Sequence, residues 1–129
     1  MSLNVPETLL AQAAAGEVDD GAFVDCIRAS LPYAWDVVSG LAARFDAGSA
    51  PLVVNELPPP DEHARGQLLR ALASDSIRGA LQRHFGVTIA FRNCHYTGVF
   101  AAVPDKRAYD EFVSPRAQVL SQHPDLRDC

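Results

Sequence analysis

The sequence has a single lysine, Lys106, against ten arginines, and its formal net charge is −5. It contains no block of five or more like charges and no long apolar run. Proteins that bind nucleic acid broadly need a basic face, and a membrane span needs about 20 consecutive apolar residues. We therefore expect a protein for which nucleic acid is an unlikely partner and which does not enter a membrane.

Cysteine is also scarce, and the three cysteines, Cys26, Cys94 and Cys129, are widely and irregularly spaced. An odd, irregular set is typical of free thiols in a reducing compartment, and the first residues lack the charged and apolar regions of a secretory signal. We expect a cytoplasmic protein. The excess of arginine over lysine, with abundant alanine, is typical of GC-rich bacterial genomes, so we also expect a bacterial source.

The chain is long enough for one hydrophobic core and too short for two ordinary domains. It has 129 residues, of which 48% are hydrophobic and 21% charged, as in globular proteins. We predict one globular domain spanning residues 1–129.

Apolar residues recur at helical spacing through most of the first 85 positions. The strongest stripe, Ile77, Leu81 and Phe85, follows the predicted N-cap Ser74. Comparable patterns predict helices at 8–15, from Asp19 or Asp20 to a break near Ser30-Leu31, from there to Gly48, and at 64–72, with two short helices after Asp105 and Ser114.

Two short runs with strand character follow this helical pattern. Val87, Ile89 and Phe91 alternate with more polar positions, and the stretch 95–103 is rich in aromatic and β-branched residues. We predict an antiparallel hairpin over about 87–103 and a short strand at Val53-Val54. The fold class is then mostly helical α+β, with six or seven short helices packed around this hairpin.

The predicted turn of the hairpin gathers Arg92, Cys94, His95 and Tyr96. Positive charge beside an exposed cysteine favours its thiolate, which suits a nucleophile or a redox-sensing thiol. Neighbouring strand residues point to opposite faces, however, so His95 is poorly placed as a base for Cys94. These four residues are therefore weak catalytic candidates, and a structural role for them is the alternative.

If these residues serve a ligand, we expect its pocket between the hairpin and the helices. Asp61, Glu62 and His63, at a helix start, are further candidates to line it. For metal binding, the sequence lacks the close C-x-x-C or H-x3-H spacing of zinc sites. We predict no metal site, with His63, His95 and His123 as weak candidates. No cofactor can be named from the sequence.

Trp35 and Tyr33 are the predicted interaction residues, because large aromatic side chains with a polar end are enriched at protein interfaces. Trp35 lies one or two positions away from the apolar face of its helix. Cys26, by contrast, lies beside Ile27 on the predicted buried flank of its own helix and is expected to pack in the core. A helical chain with several narrow apolar stripes often completes its burial by pairing, so we expect a homodimer.

The order helix 64–72, turn, helix 74–85 and hairpin also resembles a helix-turn-helix followed by a wing. In such an arrangement Arg78, Gln82 and Arg83 would face outward on the recognition helix. The acidic charge of the whole chain argues against this interpretation, because phosphate contacts supply most of the affinity for DNA.

Three functions follow from these patterns. The first is a small cytosolic regulatory or protein-interaction protein, homodimeric and without a recognisable catalytic site. The alternative is a small enzyme or a ligand-binding accessory protein of a biosynthetic pathway, using the Cys/His/Tyr/Arg cluster at 92–96. The second alternative is a winged-helix-like DNA-binding protein. The sequence does not decide whether the protein is an enzyme.

Overall fold

The computed structural model describes residues 2–93 and 96–122. Within these residues the chain forms seven helices and three strands, so the fold is mostly helical α+β, as predicted. In chain order the elements are α1 (Glu7–Ala14), α2 (Asp20–Ser30), α3 (Pro32–Ala47), β1 (Leu52–Asn55), α4 (Glu62–Leu72), α5 (Asp75–Phe85), β2 (Val87–Asn93), β3 (Tyr96–Ala101), α6 (Lys106–Phe112) and α7 (Pro115–Leu120).

Five of the described helices begin at an aspartate or serine whose side chain caps the first turn. The carboxylate of Asp19 accepts a hydrogen bond from the Ala22 amide at 2.8 Å at the start of α2. The hydroxyl of Ser74 accepts one from the Ile77 amide at 3.4 Å at the start of α5. Each cap satisfies an amide that would otherwise lack a partner in the first helical turn. At the other end of α5, Gly86 adopts a left-handed conformation with φ 66°.

The start of α3 is capped by a side chain from another helix. Pro32 occupies its first turn, and Leu31 provides no side-chain cap. Instead the side-chain amide oxygen of Gln67, on α4, accepts hydrogen bonds from the backbone amides of Tyr33 at 2.7 Å and Ala34 at 3.3 Å. Gln67 is almost fully buried, so this long-range cap links α3 to α4 inside the structure.

The three strands form one antiparallel sheet in the order β1-β3-β2. β2 and β3 form the predicted hairpin, in which Asn93 pairs with Tyr96 after an irregularity between Phe91 and Asn93. β1 pairs with the other edge of β3, with Val53 opposite Val99. The predicted short strand at Val53-Val54 is therefore confirmed, and it makes the sheet three-stranded.

One face of the sheet lies against the main core formed with α2, α3, α4 and α5. Ile27, Leu68 and Val99 are fully buried in this cluster. The second face is also covered, because Phe112 of α6 packs with Ala90 and Phe100. β2 is therefore buried on both faces for part of its length, whereas its alternating pattern predicted burial on one face only.

A glycine in β3 allows the close approach of α6. A Cβ atom at Gly98 would lie 3.0 Å from Cζ of Phe112 and 3.1 Å from Cε1 of Phe100. Only a residue without a side chain leaves room for the two rings at this point of the sheet. Among the described residues, no helix combines the length and the apolar character that a membrane crossing requires.

Candidate functional site

The end of the hairpin holds Arg92 in a fixed position against α6. Its Nε donates a hydrogen bond to the Phe112 carbonyl at 3.0 Å. The guanidinium carbon lies 4.2 Å from the centre of the Phe112 ring and 5.7 Å from that of Tyr96. Stacking on aromatic rings and the Nε hydrogen bond together orient the guanidinium group. These contacts hold the Arg92 guanidinium on the side of the sheet that α6 covers.

A cleft of about 310 Å³ opens beside this guanidinium. Its lining residues are Glu56, Arg92, Tyr96, Glu111, Ala117, Leu120 and Ser121. Two of the four predicted catalytic candidates, Arg92 and Tyr96, therefore line one cleft. The other two, Cys94 and His95, lie outside the described residues.

The described residues of the cleft offer charged and polar groups that can bind a polar ligand. Arg92 provides one positive charge, and Glu56 and Glu111 provide two carboxylates, of which Glu111 pairs with Arg116 at 3.0 Å. The Ser121 hydroxyl accepts a hydrogen bond from Asn93 Nδ2 at 2.8 Å and donates one to the Gln118 carbonyl. Neither of these two partners is a base that could activate the hydroxyl.

The predicted contributors from the long loop lie at the start of α4. The Asp61 carboxylate caps this helix by accepting from the Ala64 amide at 2.8 Å, and Glu62 pairs with Arg65 at 2.6 Å. His63 is exposed. None of Asp61, Glu62 and His63 lines the cleft beside Arg92; that loop contributes Glu56 instead.

For metal binding, the described part of the chain contains no group of three or more histidine, cysteine, aspartate or glutamate side chains that could hold an ion. Of the three weak metal candidates, His63 is described, and His95 and His123 lie outside the described residues. The expectation that the chain binds no metal stays a prediction.

The predicted interaction residues lie on the first turn of α3. Trp35 is half-buried, and its ring centre lies 5.4 Å from that of His84 and 5.1 Å from that of Phe85. The guanidinium carbon of Arg28 lies 5.3 Å from the centre of the Trp35 ring. Tyr33 is half-buried as well, and burial together with the negative charge of Asp61 raises the pKa of its hydroxyl. Contacts within the chain thus occupy much of the Trp35 ring, and the role of both residues in an interface stays a prediction.

The residues predicted to face DNA in a winged-helix protein all bind within the chain. Arg78 donates to the Leu72 carbonyl at 2.7 Å and pairs with Asp75 at 2.6 Å. The side-chain amide oxygen of Gln82 accepts a hydrogen bond from the Ile89 amide, and Arg83 forms two hydrogen bonds to the Asp20 carboxylate at 2.9 and 3.1 Å. The recognition surface of that interpretation therefore receives no support from these contacts.

An opening lined mostly by apolar side chains lies beside the N-terminal residues, where the sequence indicated no site. We call residues 2–15 the N-terminal arm, and the 630 Å³ cavity between it and α2 and α5 the apolar groove. The groove is lined by Leu3, Val5, Leu9, Leu10, Ala13, Val18, Asp20, Phe23, Cys26, Ser76 and Arg83. Leu9 is buried there with 5% exposure, whereas 45% of Val5, 61% of Leu10 and 46% of Val18 remain exposed.

Two hydrogen bonds between described residues join the N-terminal arm to α2. The Asn4 amide donates to the Ser30 hydroxyl at 2.9 Å, and the Cys26 thiol donates to the Asn4 carbonyl at 3.5 Å. Cys26 is only 3% exposed, which confirms its predicted burial. In the sequence, the signal for the groove is the pair Leu9-Leu10 in a weak helical pattern. One face of a helix can bury only one of two neighbouring residues, so the other leucine stays exposed.

Comparison with known proteins yields one relationship. No curated protein matches the chain, and no solved structure matches it. The family described as NucS shadow ORF matches over residues 1–129, the full length of the sequence. The chain therefore belongs to the NucS shadow ORF family.

Proposed function

We propose that this chain is a small bacterial protein-interaction protein of regulatory type, that it acts in the cytoplasm as one globular domain, and that it forms a homodimer. The observation that carries this proposal is the apolar groove with its exposed rim. Val5, Leu10 and Val18 expose aliphatic surface around a single cavity. Exposed apolar residues are ordinary when scattered, but a contiguous patch around a cavity is characteristic of a binding surface.

The charges around the groove support a second copy of the chain as the partner. Among the described residues that line it, Asp20 and Arg83 are the charged ones, and they neutralise each other in a two-bonded ion pair. Two copies of the same surface can therefore meet without like-charge repulsion. A two-fold dimer uses the same patch on both subunits, so a neutral, apolar patch is self-complementary.

The proposal is tested by placing a charge on the groove rim. Burying a leucine side chain contributes about 1.5–3 kcal/mol, so Leu10→Glu should raise the Kd of the dimer by about tenfold or more. Leu57→Glu is the matched control, because Leu57 is an exposed leucine outside the groove. It should leave the Kd unchanged. Size-exclusion chromatography with light scattering measures both, and equal effects of the two substitutions would contradict this interface.

A second candidate function is a ligand-binding accessory protein or small enzyme that uses the cleft beside Arg92. The fixed guanidinium favours it, since an arginine held at a cleft is suited to bind a carboxylate or phosphate group. Thermal unfolding in the presence of succinate or inorganic phosphate tests the idea. A rise in melting temperature that Arg92→Gln abolishes would support it, and no rise with either anion would count against it.

A further inference from the structure

One end of the sheet places two opposite charges on the same face. Ala90 of β2 and Val54 of β1 both pack on the face that α6 covers. Side chains alternate between the faces of a strand, so the residues two positions further along, Arg92 and Glu56, are expected on this face as well. The contact of Arg92 with the Phe112 ring agrees with this placement, and both charged residues line the same cleft.

The two charges do not neutralise each other. β3 lies between β1 and β2, and neighbouring strands are about 4.8 Å apart, so the backbones at Arg92 and Glu56 are separated by about 10 Å. Among the described residues, no ion pair involves either side chain. The other lining carboxylate, Glu111, is already paired with Arg116 at 3.0 Å. The cleft therefore offers one positive and one negative charge for a ligand.

A small zwitterion matches this arrangement. Two hydrogen bonds of about 2.9 Å each span about 6 Å of the separation and leave about 4 Å for the ligand. In an α-amino acid the ammonium and the carboxylate are bonded to the same carbon, so they lie about 3 Å apart. Glu56 is exposed, so its side chain has room to close the remaining distance.

The remaining part of the cleft indicates the kind of side chain. Ala117 and Leu120, both on α7, form an apolar wall beside the two charges. The cavity of about 310 Å³ lies at the lower end of the range for small-molecule sites. An aliphatic side chain packed on this wall would be partly removed from water, which favours binding.

We infer that the cleft beside Arg92 binds a free α-amino acid with an aliphatic side chain. The Arg92 guanidinium binds the carboxylate, Glu56 binds the ammonium, and Ala117 and Leu120 contact the side chain. This inference rests on the ligand-binding function proposed for the cleft. It does not depend on the homodimer, because the apolar groove and the cleft share no lining residue.

Ligands that each lack one part of an amino acid provide the test. The probe is L-leucine; isocaproate is the same molecule without the ammonium, and isopentylamine is the same molecule without the carboxylate. In a heteronuclear NMR titration of the full chain, L-leucine should bind with a Kd about tenfold lower than either, because each analogue loses a charge-assisted hydrogen bond. Glycine keeps both charges without the aliphatic part and should bind about tenfold more weakly than L-leucine.

A substitution of the acidic residue assigns the ammonium contact. Glu56→Gln should raise the Kd of L-leucine by about tenfold and change that of isocaproate by less than about twofold. Glu17→Gln is the matched control, because Glu17 is an exposed glutamate outside the cleft, and it should change neither value. Arg92→Gln should raise the Kd of both ligands, since both carry the carboxylate.

The outcomes separate the inference from the function on which it rests. Equal Kd values for L-leucine and isocaproate, or no effect of Glu56→Gln on L-leucine, would overturn the amino acid and leave a cleft that binds anions. Equal Kd values for glycine and L-leucine would overturn the aliphatic side chain. No response to L-leucine at about 20 mM would overturn the inference, and a further lack of response to succinate and phosphate would overturn the ligand-binding function as well.

Discussion

The central helices and the N-terminal arm are built from the same kinds of aliphatic side chain, but they bury them very differently. Ile27 and Leu68 are completely buried, whereas Leu10 and Val5 in the arm remain largely exposed. Each of α2, α3, α4 and α5 has at least three buried residues, whereas Leu9 is the one buried residue of α1. Apolar spacing in a sequence therefore predicts that a helix forms, and it does not predict whether both sides of that helix find a partner.

The largest difference between the two regions should appear in leucine-to-alanine substitutions. Leu68→Ala leaves a cavity in the main core and should reduce the free energy of unfolding by about 2–5 kcal/mol. Leu10→Ala removes an exposed side chain and should change it by less than about 0.5 kcal/mol at a protein concentration where the chain is monomeric. Urea unfolding followed by circular dichroism measures both. Similar losses would show that the arm is packed as tightly as the core.

The second face of the sheet, where Gly98 lies against α6, should also be sensitive to substitution. Gly98→Ala places a Cβ 3.0 Å from the Phe112 ring, and the neighbouring Phe100 ring leaves little room for relief. Overpacking of this kind should cost about 1–3 kcal/mol in the free energy of unfolding. Gly40→Ala is the control, since its Cβ meets open space on a helix and it should not destabilise the protein. Equal stabilities of the two variants would mean that α6 moves away readily.

The alkylation rates of the cysteine thiols should also differ between regions of the molecule. Cys26 is buried beneath the arm, so alkylation near neutral pH should modify it last. Cys129 should react at an ordinary exposed rate and Cys94 faster, because Arg92 and His95 are its neighbours in sequence. Both of these cysteines lie outside the described residues, so this order stays a prediction. Mass spectrometry of peptides over time resolves the three rates, and early labelling of Cys26 would show that the arm does not protect this thiol.

The smallest effect is expected from the ion pair between α2 and α5. The hydrogen bond from Arg83 lowers the pKa of Asp20 below its ordinary value. A carboxylate whose pKa is lower in the folded than in the unfolded state stabilises the folded state when the pH is above the unfolded-state pKa. This stabilisation is lost as the pH falls through the folded-state pKa. Both side chains are largely exposed, so the contribution is small. Asp20→Asn should lower the urea midpoint slightly at neutral pH and not at all at low pH; a larger effect at low pH would contradict this.

Local features of the fold could be predicted from the sequence because neighbouring residues determine them. Asp19 and Ser74 cap helices through bonds to the amides three positions later, and Gly86 ends α5 by adopting a left-handed conformation. The break before Pro32 has the same local origin, since proline cannot continue the helix that precedes it.

The remaining features depend on contacts between distant segments, for which the sequence carries no periodic signal. Gln67 caps a helix that begins 35 residues earlier in the chain, at Pro32. The burial of Ala90 requires α6 to cover the second face of the sheet. The groove depends on how α1 lies against α2 and α5, which the pair Leu9-Leu10 alone does not specify. A glycine inside a strand, such as Gly98, often marks the close approach of another element, but the sequence does not identify that element as α6.

Sedimentation equilibrium of the wild-type protein tests the homodimer most directly. The measurement runs from about 1 µM to about 1 mM, the range in which a dimer of moderate affinity assembles. The average mass should rise with concentration from the 13.9 kDa of one chain toward twice that value, and Leu10→Glu should shift the rise to higher concentration. A constant mass of 13.9 kDa over the whole range would contradict the account.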